Sequence, residues 1–422
     1  MTSTRTLTLA VPARAARAVG MVLALALAAA TAFLVTAPPP AQAATLQQVT
    51  SFGSNPGALA MYGYRPDGLP SGAPVVVLLH GCTQDATTYF TNSGWRTFAD
   101  RHGFALVLAQ QSSGNNSSKC FNWFEPGDTA RGQGEAASIA QMVDYATTNY
   151  GSDARRVYVS GLSAGAAMTG VMLATYPDTF AGGSINAGLP YRCATSSTAA
   201  FSCMNPGVDK TPSAWGDLVR GAYAGYSGPR PKVAIWQGQS DTTVAPMNGV
   251  ELRDQFTNVD GVSQTPTSTG TIASGVTWED YGGQVRLTKI AGMGHGTAVD
   301  PGTASNQCGT AGAYFIDTVC AAYYDVQFFG LDGGDTPPPT TTTSTPPPTT
   351  STTSTTSSPT TTTTTTAPTC ITSSNYAHVV AGRAYQSGGY AYALGSNQNL
   401  GLYNTFYTAT LKQSSPGYWE KC

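Results

Sequence analysis

The chain has 422 residues and a formal net charge of −2, so its length allows two or three domains and its charge offers no electrostatic footprint for a nucleic-acid partner. Charged residues are only 10% of it, well below the roughly 25% usual for soluble domains. Part of that deficit lies in an uncharged linker and an apolar N-terminus, and the remainder points to a neutral surface rich in Gly, Ser, Thr and Asn.

Arg5, Arg14 and Arg17 precede an apolar run over 18–35, and Pro38-Pro39-Pro40 and Ala41-Gln42-Ala43 follow it. The run is long enough for a short membrane anchor, but the prolines and the small-x-small ending favour cleavage after Ala43. Residues 1–43 are read as a signal peptide. The expectation is a secreted, extracellular chain with no stable membrane association once the signal is cleaved.

In chain order, the loose alternation from Leu46 to Tyr64 predicts the first antiparallel strands. Val75-Val76-Val77-Leu78-Leu79 is an unbroken apolar run, as expected of a strand buried on both faces of a parallel sheet. It ends in His80-Gly81-Cys82-Thr83-Gln84. Trp95, Phe98, Ala99 and His102 mark a helical face, and Ala105–Ala109 reads as the next buried strand. A loop then carries Cys120-Phe121-Asn122-Trp123-Phe124-Glu125-Pro126, and Ile139, Met142, Val143 and Ala146 mark another helix. Val157–Ser160 reads as a strand. Met168, Val171, Met172 and Thr175 repeat at helical spacing until Pro177. Further strands are expected near 183–186, 233–236 and 285–290. Strands alternating with helices over 44–330 predict an α/β fold with a mostly parallel sheet.

Residues 331–369 are read as a disordered linker, almost wholly Thr, Pro and Ser from Thr336 onward. Its prolines keep it extended at up to about 3 Å per residue, and it resembles O-glycosylated linkers. Residues 370–422 form a small module of short antiparallel strands, with a turn at Ser387-Gly388-Gly389. It is rich in aromatics: Tyr376, Tyr385, Tyr390, Tyr392, Tyr403, Tyr407, Tyr418 and Trp419. At least half of these are expected in its core, the rest on its surface.

All eight cysteines lie beyond the signal segment, which in an exported chain suggests four disulfides. Sequence does not fix their connectivity. Sequential pairing keeps each bridge local and is the expectation: Cys82–Cys120, Cys193–Cys203, Cys308–Cys320 and Cys370–Cys422. The last would contribute roughly 4 kcal/mol by constraining the unfolded module. There is no C-x-x-C and the four histidines are scattered, so a zinc site is not expected.

The chemistry centres on Gly161-Leu162-Ser163-Ala164-Gly165, which reads G-x-S-x-G. Among 47 glycines the motif alone says little, but here it joins a strand to a helix, the setting of a nucleophilic serine in α/β-hydrolases. Such a serine needs a base, an acid to orient the base, and donors for an oxyanion. His295, in Gly292-Met293-Gly294-His295-Gly296, is the one histidine that follows Ser163 within 44–330. Asp241, reached from the 233–236 strand through Gly238-Gln239-Ser240, is the expected acid; Asp178 and Asp217 are read as helix caps or solvated groups. The oxyanion donors are expected to be the N–H groups of Ala164 and Cys82. His80 is read as structural, and Cys82 as bridged rather than nucleophilic. Asn122 and Trp123 are candidate pocket residues, Trp123 equally a core aromatic. No metal or cofactor is implied, and a monomer is expected.

Leu79-His80-Gly81-Cys82-Thr83-Gln84, Cys120-Phe121-Asn122-Trp123-Phe124, Arg131-Gly132-Gln133-Gly134-Glu135, the Gly161–Gly165 turn and Gly294-His295-Gly296 together resemble the secreted polyhydroxybutyrate-depolymerase-like esterases, a group that includes feruloyl and acetylxylan esterases of carbohydrate esterase family 1. The resemblance covers about residues 45–330. It implies an extracellular serine esterase of α/β-hydrolase fold. The expected substrate is a polyhydroxyalkanoate, with feruloylated or acetylated plant xylan as the alternative. The module resembles one appended to such esterases. A reading of another class is a non-catalytic polymer-binding protein.

Overall fold

A computed structural model describes residues 44–333, 370–387, 390–403, 407–415 and 418–422. The expected signal segment, nearly all of the expected linker and the Gly388-Gly389 turn lie outside these residues. The described chain falls into two compact units, each treated by itself.

In the larger unit the elements run β1 (Gln47–Val49), β2 (Ala60–Tyr64), β3 (Val75–Leu79), α1 (Ala86–Asn92), α2 (Trp95–His102), β4 (Ala105–Gln110), α3 (Gly134–Asn149), β5 (Val157–Leu162), α4 (Ala164–Thr175) and β6 (Gly182–Asn186). There follow α5 (Ser197–Met204), α6 (Pro212–Ala222), β7 (Lys232–Gly238), α7 (Met247–Asp260), β8 (Ser268–Ala273), β9 (Val276–Tyr281), β10 (Val285–Ile290), β11 (Thr297–Val299), β12 (Phe315–Asp317) and α8 (Ala321–Phe328).

The ten-stranded sheet has the order β1-β2-β4-β3-β5-β6-β7-β10-β9-β8. Its centre, from β4 to β10, is parallel. Antiparallel β1 and β2 extend one edge and β9 and β8 the other. This is an α/β-hydrolase sheet. The unbroken apolar strands follow from its two covered faces. Val75, Val77 and Leu79 point into one core with Ile139, Met142, Met168 and Met172. Val76 and Leu78 point into the other with Trp95, Phe98, Val326 and Phe329. A period of two feeds both cores, so every position must be apolar.

Leu331, assigned from sequence to the linker, is buried, and its N–H donates to the Val326 carbonyl at 2.8 Å. The folded unit therefore runs past residue 330, because this leucine completes the core under α8.

The smaller unit holds β13 (Ile371–Ser374), α9 (Asn375–Val380), β14 (Ala384–Ser387), β15 (Tyr390–Ala393), β16 (Asn399–Leu402), β17 (Thr408–Ser415) and β18 (Tyr418–Lys421), in two three-stranded antiparallel sheets. Its core is Ala384, Ala391, Ala393, Leu400 and Leu411. The expectation that half its aromatics are buried is corrected. Tyr385, Tyr390, Tyr407 and Tyr418 are exposed, and Tyr392, Tyr403 and Trp419 are half-buried. Strand alternation sends the alanines inward and Tyr385, Tyr390 and Tyr392 to the opposite face, while Tyr403 and Trp419 pack against the core without being enclosed by it.

Several acids of the larger unit are buried. Burial pushes Glu135 up to about 8, Glu251, Asp260 and Asp325 to about 7, and Asp254 to about 6. A carboxyl that holds its proton more tightly when folded stabilises fully at low pH, and that contribution is lost as pH rises through the folded-state value. His80, pushed down to about 4 by burial, acts in the opposite sense only below its ordinary value. The melting midpoint is therefore expected to fall as pH rises from about 6.5 to about 8.5. Calorimetry across that interval checks it, and a rising midpoint contradicts it.

Candidate active site

The site lies at the C-terminal edge of the parallel strands. Ser163 follows β5 with φ 56° and ψ −118°, a strained conformation for any residue with a side chain. Its N–H donates to the Asn186 carbonyl at 3.0 Å. Close approach explains the flanking glycines. A Cβ on Gly161 would meet the Gly165 carbonyl oxygen at 2.3 Å, and one on Gly165 would meet the Leu79 and His80 carbonyl oxygens at 2.2 and 2.5 Å. The start of α4 is thereby pressed against the end of β3 and the His80-Gly81-Cys82 turn. Ala164 opens α4, where the helix supplies no acceptor for the first-turn N–H groups.

Asp241 and His295 are brought together. His295 Nδ1 lies 2.7 Å from Asp241 Oδ2, and both side chains are almost fully buried. Asp241 Oδ1 accepts from the N–H groups of Thr243 and Val244, each at 2.8 Å. With both oxygens occupied, the carboxylate is fixed and Nδ1 carries the hydrogen. The loops that bear them are joined by backbone bonds from Gln239 N–H to Ile290 O and from Ser240 N–H to Met293 O, both 2.9 Å. Gly238 permits this, since a Cβ there would meet the Met293 and Gly294 carbonyl oxygens at 2.5 and 2.6 Å. Neither rejected acid is near this pair: Asp178 pairs with Arg131 and Asp217 with Arg220.

His80 is spoken for at both nitrogens. Nδ1 donates to the Gly81 carbonyl at 2.7 Å, and Nε2 accepts from Gln111 N–H at 3.1 Å. Its ring packs on Phe121. A buried, neutral imidazole so held is part of the turn. The disulfides join Cys82 to Cys120, Cys193 to Cys203, Cys308 to Cys320 and Cys370 to Cys422. The first, with Thr83 N–H donating to Ser118 O at 2.7 Å, ties the Cys82 turn to the 112–120 loop.

Sequence reasoning missed the hub of that loop, although it noted Glu135 in Arg131–Glu135. Glu135 is fully buried at the start of α3. One oxygen accepts from the Asn122 N–H at 2.8 Å, and the other from the Gln111 and Asn115 side chains. Gln111 in turn donates to the Cys120 carbonyl at 3.2 Å. Asn122 is buried within this network, its side-chain oxygen accepting from Asn116 at 2.9 Å. Trp123 is buried in the main core against Phe124, so of its two readings the placement fits the core. A single buried acid in a helix's first turn shows no periodicity, and only its place in the Arg131–Glu135 motif marked it. Among the described residues no group of three or more His, Cys, Asp or Glu is placed to hold a metal ion.

The fold is that of the α/β-hydrolases, and its relatives mark the chain as a carboxylic ester hydrolase. More narrowly, the chain belongs to the esterase PHB depolymerase family, whose pattern it matches over residues 59–282. It is 58% identical over 293 residues to poly(3-hydroxyalkanoate) depolymerase C of Paucimonas lemoignei, spanning 68% of this chain and 70% of that one. It is 38% identical over 261 residues to feruloyl esterase B of Thermothelomyces thermophilus, spanning 60% and 88%. Among solved structures, an acetyl xylan esterase from Aspergillus awamori superimposes with a TM-score of 0.60 at 30% identity, over 68% of this chain and 99% of that one.

The Glu135 hub yields a stability test. Above about pH 8, where the buried Glu135 is ionised, Glu135→Gln turns one acceptor into an amide donor facing an existing donor, which should destabilise the fold by about 1–3 kcal/mol. Chemical denaturation checks this, and an unchanged midpoint contradicts it.

Proposed function

We propose that this chain is an exported serine esterase that depolymerises polyhydroxyalkanoates through an acyl-enzyme. Ser163 Oγ attacks the ester carbonyl carbon as His295 Nε2 takes its proton. Asp241 holds the Nδ1–H and stabilises the imidazolium that forms. The N–H groups of Ala164 and Cys82 receive the oxyanion. His295 returns the proton to the leaving alcohol oxygen. Water, activated by the same histidine, then hydrolyses the acyl-enzyme and restores Ser163.

The observation that carries the chemistry is the 2.7 Å His295–Asp241 contact, set on the sheet edge from which the Ser163 turn also leaves. Greater identity to a polyhydroxyalkanoate depolymerase than to a feruloyl esterase favours the polyester. Four disulfides support export to an oxidising compartment.

The smaller unit is read as a polymer-binding module. One face of its β14–β15–β16 sheet buries Ala384, Ala391 and Ala393. The other carries Tyr385, Tyr390, Tyr392 and Leu402, with Tyr385 and Tyr392 stacked at 5.5 Å. A flat apolar face of this kind suits an insoluble solid, and tethering raises the local concentration of the larger unit.

Ser163→Ala is expected to lower kcat on p-nitrophenyl butyrate by roughly a million-fold; retained turnover contradicts the mechanism. Side-by-side assays on polyhydroxybutyrate film, methyl ferulate and acetylated xylan should show highest activity on the film, and preference for either xylan ester contradicts the polyester reading. A Tyr385→Ala/Tyr390→Ala/Tyr392→Ala variant should adsorb more weakly to the film and keep activity on the soluble ester. Equal loss on both would assign the face to stability.

A further inference from the structure

Among the described residues of the larger unit, the exposed large hydrophobic side chains are Phe201, Met247 and Tyr314, at 71%, 39% and 47% exposure. Apolar surface scattered at random needs no explanation, but each of these three lies on a segment joined to the loops that hold Asp241 and His295. The Tyr314 ring stands edge-on to His295 with centroids 6.0 Å apart, and its carbonyl accepts from the N–H of Thr297 at 2.9 Å. Met247 opens α7, directly after the loop that holds Asp241. Phe201 lies on α5, whose C-terminal end is fastened to that same loop. Asn205 Nδ2 donates to the Thr242 carbonyl at 2.8 Å, Ala245 N–H to the Met204 carbonyl at 2.8 Å, and Asn248 Nδ2 to the Cys203 and Met204 carbonyls at 3.1 Å each. The Cys193–Cys203 bridge closes the segment from behind.

We infer that Phe201, Met247 and Tyr314 form an apolar rim by which the larger unit itself adsorbs to solid aliphatic polyester, independently of the smaller unit, and presents polymer chains to Ser163. The occupant follows from chemistry. Phe201 has no hydrogen-bonding group and Met247 only a weak acceptor, so neither meets the hydroxyls of a polysaccharide, whereas both lose water favourably against methyl and methylene groups. The position follows from continuity with the site: the segments that display the rim are those that hold Asp241 and His295. The inference rests on the polyester reading above.

The test uses the full chain carrying Phe201→Ser and Met247→Gln, both at exposed positions outside the reacting groups. Adsorption to polyhydroxybutyrate film is read by depletion from solution, and turnover by p-nitrophenyl butyrate. The partition onto film should fall about tenfold or more, as loss of one or two well-buried apolar contacts implies. Soluble-ester kcat/KM should stay within about twofold of the parent. The same fold-loss should recur in the Tyr385→Ala/Tyr390→Ala/Tyr392→Ala background. Unchanged adsorption, or an equal loss on the soluble ester, overturns the inference. So does a parent dimer in sedimentation that the substitutions convert to monomer, since a second copy would then cover the rim. Because adsorption is read without turnover, a parent that adsorbs but does not hydrolyse the film overturns the polyester reading alone.

Discussion

The architecture of the site depends on one close approach. The start of α4 lies so near the end of β3 that Gly165 has no room for a side-chain carbon against the Leu79 and His80 carbonyls. That contact forces the turn at Ser163 into a positive-φ conformation and sets it against the His80-Gly81-Cys82 segment. Everything else holds the two halves of this contact in place. The neutral His80 ring locks the turn to Gln111, Glu135 gathers Gln111 and Asn122, and the Cys82–Cys120 bridge closes the circuit.

The second half of the site is built by the same logic. Gly238 lets the loops after β7 and β10 meet backbone to backbone, and the bonds between them hold Asp241 and His295 side by side. In the proposed mechanism, groups preorganised in this way need not reorder during reaction, which is where much of an enzyme's electrostatic advantage originates. The parallel strands β3, β5, β7 and β10 carry both halves on one edge of the sheet.

Much of this was legible in the sequence because burial on two faces writes itself as an unbroken apolar run, as in Val75–Leu79, and because so tight a strand-to-helix turn demands glycines at fixed offsets. Other parts were not. Ser268–Ala273 is largely polar, with no buried residue at the sheet edge, so β8 carries only a weak hydrophobic signal. The Glu135 network is an arrangement of loop side chains from positions distant in sequence. In the smaller unit, composition suggested that aromatics fill the core, whereas strand alternation placed alanines there and turned the tyrosines outward. The apolar rim was likewise invisible, since Phe201 and Tyr314 are far apart in the chain and meet the site only through the fold.

The central claim is that Ser163, activated by His295, is the nucleophile. Labelling of the full chain with a fluorophosphonate, followed by peptide mass mapping, tests it most directly. The account predicts a phosphonyl adduct on Ser163 in the parent chain and its loss when His295 is replaced by alanine. An adduct on another residue, or undiminished Ser163 labelling without His295, would contradict it.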